Sequence, residues 1–210
     1  MTIFVVTLEV MSTPAAPLFV GGHPALDFLN TAFSPDGVEM EALSDGRALL
    51  DWLVSAELLG RVEADALLSR SGAKAMDVAA AKARKFREQV RTWLEQWRVA
   101  PDRAYRTEIA MLNGLVAKGV WRHRLISATD GPQVVEQLEI EDTEALLPLL
   151  AWQIAMLVTR EQASLIKRCA GSGCTLWFLD CTKAHRRRFC SATACGNRAK
   201  VAAFRERQRQ

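Results

Sequence analysis

All five cysteines of this 210-residue chain lie in its last 42 residues, and four of them form two pairs. Cys169-x4-Cys174 is followed by a 15-residue spacer and then Cys190-x4-Cys195. Two short chelating turns joined by a hairpin-sized insert can offer four thiolates to one tetrahedral zinc ion. The small residues Ala170, Gly171, Ser172 and Gly173 let the first turn wrap back on itself. Spacing alone also admits a redox or buried-thiol cluster. A secreted disulfide scaffold would spread its cysteines through a small chain, which is not the pattern here. Cys181 is out of register with both pairs and reads as a spare thiol. His185 lies on the same turn; four cysteines already complete a shell, so it is expected at the surface.

Four thiolates leave no open position on the metal. A catalytic zinc keeps one for water and has a general base nearby. Asp180 is the only carboxylate between the pairs, and no His–Glu pair accompanies them. One structural zinc and no enzymatic activity are therefore expected.

The charge is segregated. Residues 167–210 hold 11 Lys+Arg against 2 Asp+Glu, a net of +9, whereas residues 1–166 have a net of −6. A basic end on an acidic body suits a polyanionic partner or an anionic surface. After Cys190 a helical run is expected over 193–207. At about 100° per residue, Asn197, Val201 and Phe204 share one face, expected to pack on Trp177, Phe178 or Phe189. Arg198, Arg205 and Arg209 line one flank; Lys200 and Arg207 line the other. The opposite face carries Ala199, Ala202, Ala203 and Glu206. Small residues between basic rows let a helix enter a nucleic-acid groove while the rows meet phosphates. The candidate DNA-binding set is Arg186, Arg187, Arg188, Arg198, Lys200, Arg205 and Arg207. A solvated basic face, or an alanine face docked on a protein, remains open.

In the acidic part, Gly21-Gly22 permits a tight turn, and His23, Asp27 and Asn30 follow at helical spacing. They could line a small ligand pocket, or they could cap and anchor the first helix. No nucleophile motif or phosphate loop accompanies them.

These residues need elements to hold them. Phe19-Val20 reads as a short strand, Pro24 as the first turn of a helix, and 34–44 as a loop. Ser44 is expected to cap the next helix, Gly60 to end or bend it, and a further helix to run near 61–70. Residues 73–98 lack Pro and Gly and repeat apolar groups at steps of three and four, a long amphipathic helix. Pro101-Asp102 should open another, ending near Gly114. Residues 120–127 and 133–140 read as a hairpin, with 18–20 a candidate third strand. Asp142 or Thr143 should cap a last helix over 143–168, bent by Pro148 and running into the cysteines. Leu176–Leu179 and Arg187–Phe189 read as paired strands between the cysteine pairs. The fold class is α+β: a mostly helical domain with a small antiparallel sheet, then a treble-clef-like finger. The division is 1–16 flexible tail, 17–166 helical domain, and 167–210 finger. No apolar run reaches the ~18 residues of a membrane span.

The run from Cys190 through Cys195-Gly196-Asn197-Arg198 to Lys200 resembles the signature of the CGNR zinc-finger family. Gly21-Gly22-His23-Pro24-Ala25-Leu26-Asp27-Phe28-Leu29-Asn30-Thr31 is similar to the start of the ABATE domain that accompanies it. The resemblance implies a largely bacterial, stress-induced transcription regulator with a DNA-binding finger. It also implies cytoplasmic residence with nucleoid association, and Cys169, Cys174, Cys190 and Cys195 as ligands. A small-molecule effector and a homodimer are compatible with it. The family usually has another residue at Cys181, in keeping with a spare thiol.

Overall fold

The computed structural model describes residues 18–34 and 38–209. The expected tail over 1–16 lies outside the described residues. Among the described residues helices dominate, and the strands form three two-stranded antiparallel sheets.

The long amphipathic run is the central helix. With no breaker inside it, α4 extends over Ala73–Val99 and buries Met76, Ala80, Ala83, Phe86, Val90 and Leu94 along one stripe. Around it pack α1 (Pro24–Leu29), α2 (Gly46–Ser55), α3 (Arg61–Ser71) and α6 (Leu146–Arg160); α5 (Arg106–Val116) packs on α6. Helix α2 crosses α4 so closely that a Cβ on Gly46 would lie 2.3 Å from the Met76 Cβ. That contact fixes Gly46 as the first helical residue, and Asp45, not Ser44, caps it by accepting from Ala48 N at 2.8 Å. Helix α2 ends at Ser55, and Gly60 precedes the start of α3.

Other boundaries differ from expectation where tertiary contacts override local signals. Residues 101–104 form a turn, not a helix start: the buried Tyr105 donates its hydroxyl to Ala100 O at 2.9 Å, and α5 begins after it. Inside 34–44, β2 (Met40–Glu41) pairs with β1 (Ala32–Phe33). Asp142 caps a short 3-10 turn over Thr143–Ala145 that leads into α6. Pro148 is tolerated in the first turn of α6, where backbone N–H groups lack helical partners. That helix stops at Arg160, and a 3-10 turn and β5 (Ile166–Arg168) intervene before the cysteines.

The expected hairpin is present. Strand β3 (Trp121–Ala128) pairs with β4 (Gly131–Leu138) around Thr129-Asp130, with Gly131 at φ 107°. It is held at its base, where the Trp121 ring lies 5.1 Å from Trp152 and Leu138 is buried. Residues 18–20 are not a strand of this or any sheet. Among the described residues, no helix is long and apolar enough to cross a membrane.

Candidate metal centre and basic helix

Strand β5 pairs with β6 (Trp177–Leu179) in the register Ile166↔Leu179 and Arg168↔Trp177, and Cys169 and Cys174 lie on the connection between them. The hairpin therefore carries the first pair at its turn. Arg187–Phe189 is irregular, not the return strand expected between the pairs. Hairpin formation explains why α6 ends early: Ile166, Lys167 and Arg168 are needed as the partner of β6. Cys174 N donates to Gly171 O at 3.1 Å, and Gly173 takes φ 71°. The second pair lies on a wide helical turn. Ser191 caps it by accepting from Ala194 N, the turn runs over Ala192–Gly196, and α7 (Asn197–Arg209) follows.

These turns bring four buried sulfurs within 4.8 Å of one another. Cys174 and Cys190 Sγ lie 3.9 Å apart, and Cys190 and Cys195 Sγ 3.6 Å. Zinc–sulfur bonds of about 2.3 Å in a tetrahedron require edges of about 3.8 Å, so the set fits that ion. Gly171 forms a cradle: a Cβ there would stand 3.1 Å from Cys195 Sγ and 3.4 Å from Cys169 Sγ. Gly171 N and Cys190 N point at Cys169 Sγ at 3.4 and 3.3 Å, and Arg198 Nη2 donates to Cys195 Sγ at 3.1 Å. Burial, followed by the neighbouring sulfurs, pushes the Cys174 thiol up to about 11 and the Cys190 thiol higher. Four crowded, buried thiolates call for a dication to balance them. Cys181 is exposed and apart from the cluster.

A CGNR zinc-finger family model matches residues 166–208. The model of the ABATE family, described as "Putative stress-induced transcription regulator", matches residues 22–161. The chain belongs to the ABATE family. Its CGNR finger follows in the same chain, and the four cysteines are the site of one structural zinc. No curated protein matches the chain.

Several polar residues of the CGNR finger hold the finger itself. Asp180 is fully buried, and it is a loop staple, remote in role from the sulfurs. It accepts from Lys167 Nζ (2.5 Å), Thr182 Oγ1 (2.6 Å), Thr182 N (3.1 Å) and Arg187 N (2.9 Å). Burial would raise its pKa, but these donors hold it well below the usual carboxylate range. The Asp-x-Thr spacing of this Asx turn is a signal present in the sequence. His185 sits at φ 49° with Nδ1 3.1 Å from Asp180 O, which places it in the same loop and not at the metal.

The candidate DNA-binding residues separate into two groups. Arg187 is a peg inside the finger: its guanidinium lies 4.2 Å over the Phe178 ring and donates to Phe189 O at 3.0 Å and to Cys190 O. Arg198 turns toward Cys195. Arg186, Arg188, Lys200, Arg205 and Arg207 are exposed. Helix α7 buries none of its residues. The expected packing of Asn197, Val201 and Phe204 on Trp177, Phe178 or Phe189 does not occur. Asn197 is exposed, and Val201 and Phe204 are 48% and 55% exposed. The finger's aromatics already pack elsewhere, Trp177 in the core of the ABATE body and Phe178 beneath Arg187.

His23, Asp27 and Asn30 lie together at α1, each engaged with backbone. His23 Nδ1 accepts from Ala25 N at 3.1 Å and caps the helix. Asp27 Oδ1 accepts from Gly21 N at 2.7 Å. Asn30 closes two hydrogen bonds with Trp177 of β6. Body and finger also meet around the Trp177 ring. Arg98 from α4 and Arg168 from β5 each lie 5.5 Å from it, and Glu95 binds both guanidinium groups at 3.1 and 2.6 Å.

Proposed function

We propose that this protein is a transcription regulator that binds double-stranded DNA through its zinc finger, with the helical body as a sensing or dimerising unit. The observation that carries the reading is that α7 buries none of its residues and presents the exposed Lys200, Arg205, Arg207 and Arg209 around Ala202 and Ala203. Beyond its first turn, where Arg198 meets Cys195, the helix has its side chains available for a partner, and this charge suits a polyanion. Arg186 and Arg188 border a cleft of about 690 Å³ between finger and body, lined also by Arg98, Lys167 and Arg168. That cleft continues the cationic surface beyond the helix.

In this reading residues 167–210 form the DNA-binding unit and 17–166 the body, in a bacterial cytoplasm and at the nucleoid. The contacting set is Arg186, Arg188, Lys200, Arg205 and Arg207; Arg187 and Arg198 support the finger. His23, Asp27 and Asn30 anchor α1 through their hydrogen bonds to backbone. A closed thiolate shell gives zinc no catalytic position.

The test is a fluorescence-anisotropy titration of a mixed-sequence duplex at several salt concentrations. Wild-type affinity should fall steeply with salt, and the Arg205→Ala/Arg207→Ala variant should lower the log–log slope by about 0.9 for each phosphate contact removed. Ala202→Leu should weaken binding by blocking close approach without changing zinc content. If no duplex binds at low salt, the protein-docking reading replaces this one. The exposed Val201 and Phe204 are the observation that favours that alternative.

A further inference from the structure

The body contains a cleft of about 330 Å³ between α4, α5 and α6, in the size range of small-molecule sites. Trp93, Tyr105 and Leu112 are its buried residues, the half-buried Trp97 and Trp152 its aromatic walls, and the exposed Ile109 part of its rim. Flat aromatic walls favour a flat aromatic guest, because offset and edge-on ring contacts add to area burial. Among the described residues lining the cleft, Arg103 is the only charged one. Its guanidinium lies 5.5 Å over the Tyr105 ring and, among the described residues, has no ion-pair or hydrogen-bond partner. An apolar site with one cation at its rim and no carboxylate complements a guest with an apolar body and one negative charge. The volume has room for roughly two or three fused rings.

We infer that this cleft is a binding site for a planar aromatic carboxylate. Its position suits an effector. Trp93 and Trp97 lie on one face of the last turns of α4, and at 100° per residue Glu95 and Arg98 lie on the opposite face. Glu95 and Arg98 are the residues that hold Arg168 and the Trp177 ring of the finger. A guest against the two tryptophans therefore bears on the helix that seats the finger. The inference rests on the sensing role proposed for the body, but acid binding is measured without DNA, so the two can fail separately.

The experiment is a calorimetric titration of the zinc-loaded full chain with 2-naphthoate and with its neutral analogue 2-naphthalenemethanol, checked by quenching of tryptophan fluorescence. One acid should bind per chain, more tightly than the alcohol. Ile109→Glu alters a residue 51% exposed, so the fold should stand; it should lower acid affinity about tenfold or more by placing a second negative charge at the rim. Arg103→Gln should remove the preference for acid over alcohol while retaining the alcohol. Absence of saturable binding up to millimolar 2-naphthoate overturns the inference. So does wild-type acid affinity in Ile109→Glu, or an undiminished acid preference in Arg103→Gln.

Discussion

Replacing Asn30 by alanine should destabilise the protein by about 3 kcal/mol. Asn30 is 0% exposed. Its Oδ1 accepts from Trp177 N at 2.8 Å, and its Nδ2 donates to Trp177 O at 2.9 Å. One side-chain amide thus serves both backbone groups of a residue in β6, as a neighbouring strand would. Leu179 N, two residues on, donates to Gly21 O at 2.7 Å, so the segment entering and leaving α1 lines the edge of β6 that β5 leaves open. Truncation at Asn30 leaves a buried N–H and a buried C=O without partners, at about 1–3 kcal/mol each. Partial relaxation of the backbone offsets some of that sum. For a chain of this size, 3 kcal/mol corresponds to a fall in Tm of about 6–12 °C. Scanning calorimetry of the zinc-loaded protein reads it directly. Gln89→Ala is the control, an exposed side chain in α4 expected to stay within about 0.5 kcal/mol. If Asn30→Ala matches that control, the amide is not the clasp between body and finger.

Three further outcomes follow from the same structure. Cys174→Ala should lose the zinc and unfold the finger, whereas Cys181→Ser should keep one zinc per chain; metal analysis of both proteins decides. Burial lowers the pKa of His23, and its Nδ1 is an acceptor only in the neutral ring. Its contribution is therefore full above the unfolded imidazole value of about 6.5 and is lost as pH falls through the lower folded value. Urea midpoints between pH 8 and 5 should fall more steeply for wild type than for His23→Asn, which keeps a capping acceptor. Arg87 is buried on α4 and donates to Glu41 at 2.6 and 2.9 Å and to Thr31 Oγ1 at 2.8 Å. Arg87→Ala should cost about 3 kcal/mol in urea unfolding, because Glu41 is left half-buried without its counter-charge, keeping only the Leu43 N–H.

What the sequence made legible were the features written in local pattern. The apolar steps of 73–98, the β-branched and aromatic residues flanking Thr129-Asp130-Gly131-Pro132, and the paired spacing of Cys169, Cys174, Cys190 and Cys195 each survive in the structure with small shifts of boundary. Most of the misplaced features depend on tertiary partners that no local pattern names. Nothing local stops α6 at Arg160; Ile166–Arg168 become a strand because β6 needs one. Asn30 and Trp177 are 147 residues apart, so no spacing rule connects them. Arg187 and Arg198 read as free cations in a basic run, but one stacks on Phe178 and the other turns to Cys195 Sγ. The stripe of Val201 and Phe204 was visible as an apolar face, but periodicity does not tell whether a chain supplies its own cover.

The central claim is that the zinc-closed finger is what holds DNA. Anisotropy titration of one duplex with the full chain, first zinc-loaded, then after removal of the metal by a chelator, then after zinc is restored, tests it most directly. Structural zinc carries much of a finger's folding free energy, so metal removal should release α7 from its fixed position on the turn that holds Cys195. The account predicts loss of duplex binding on removal and recovery with one equivalent of zinc. Equal affinity with and without the metal would contradict it.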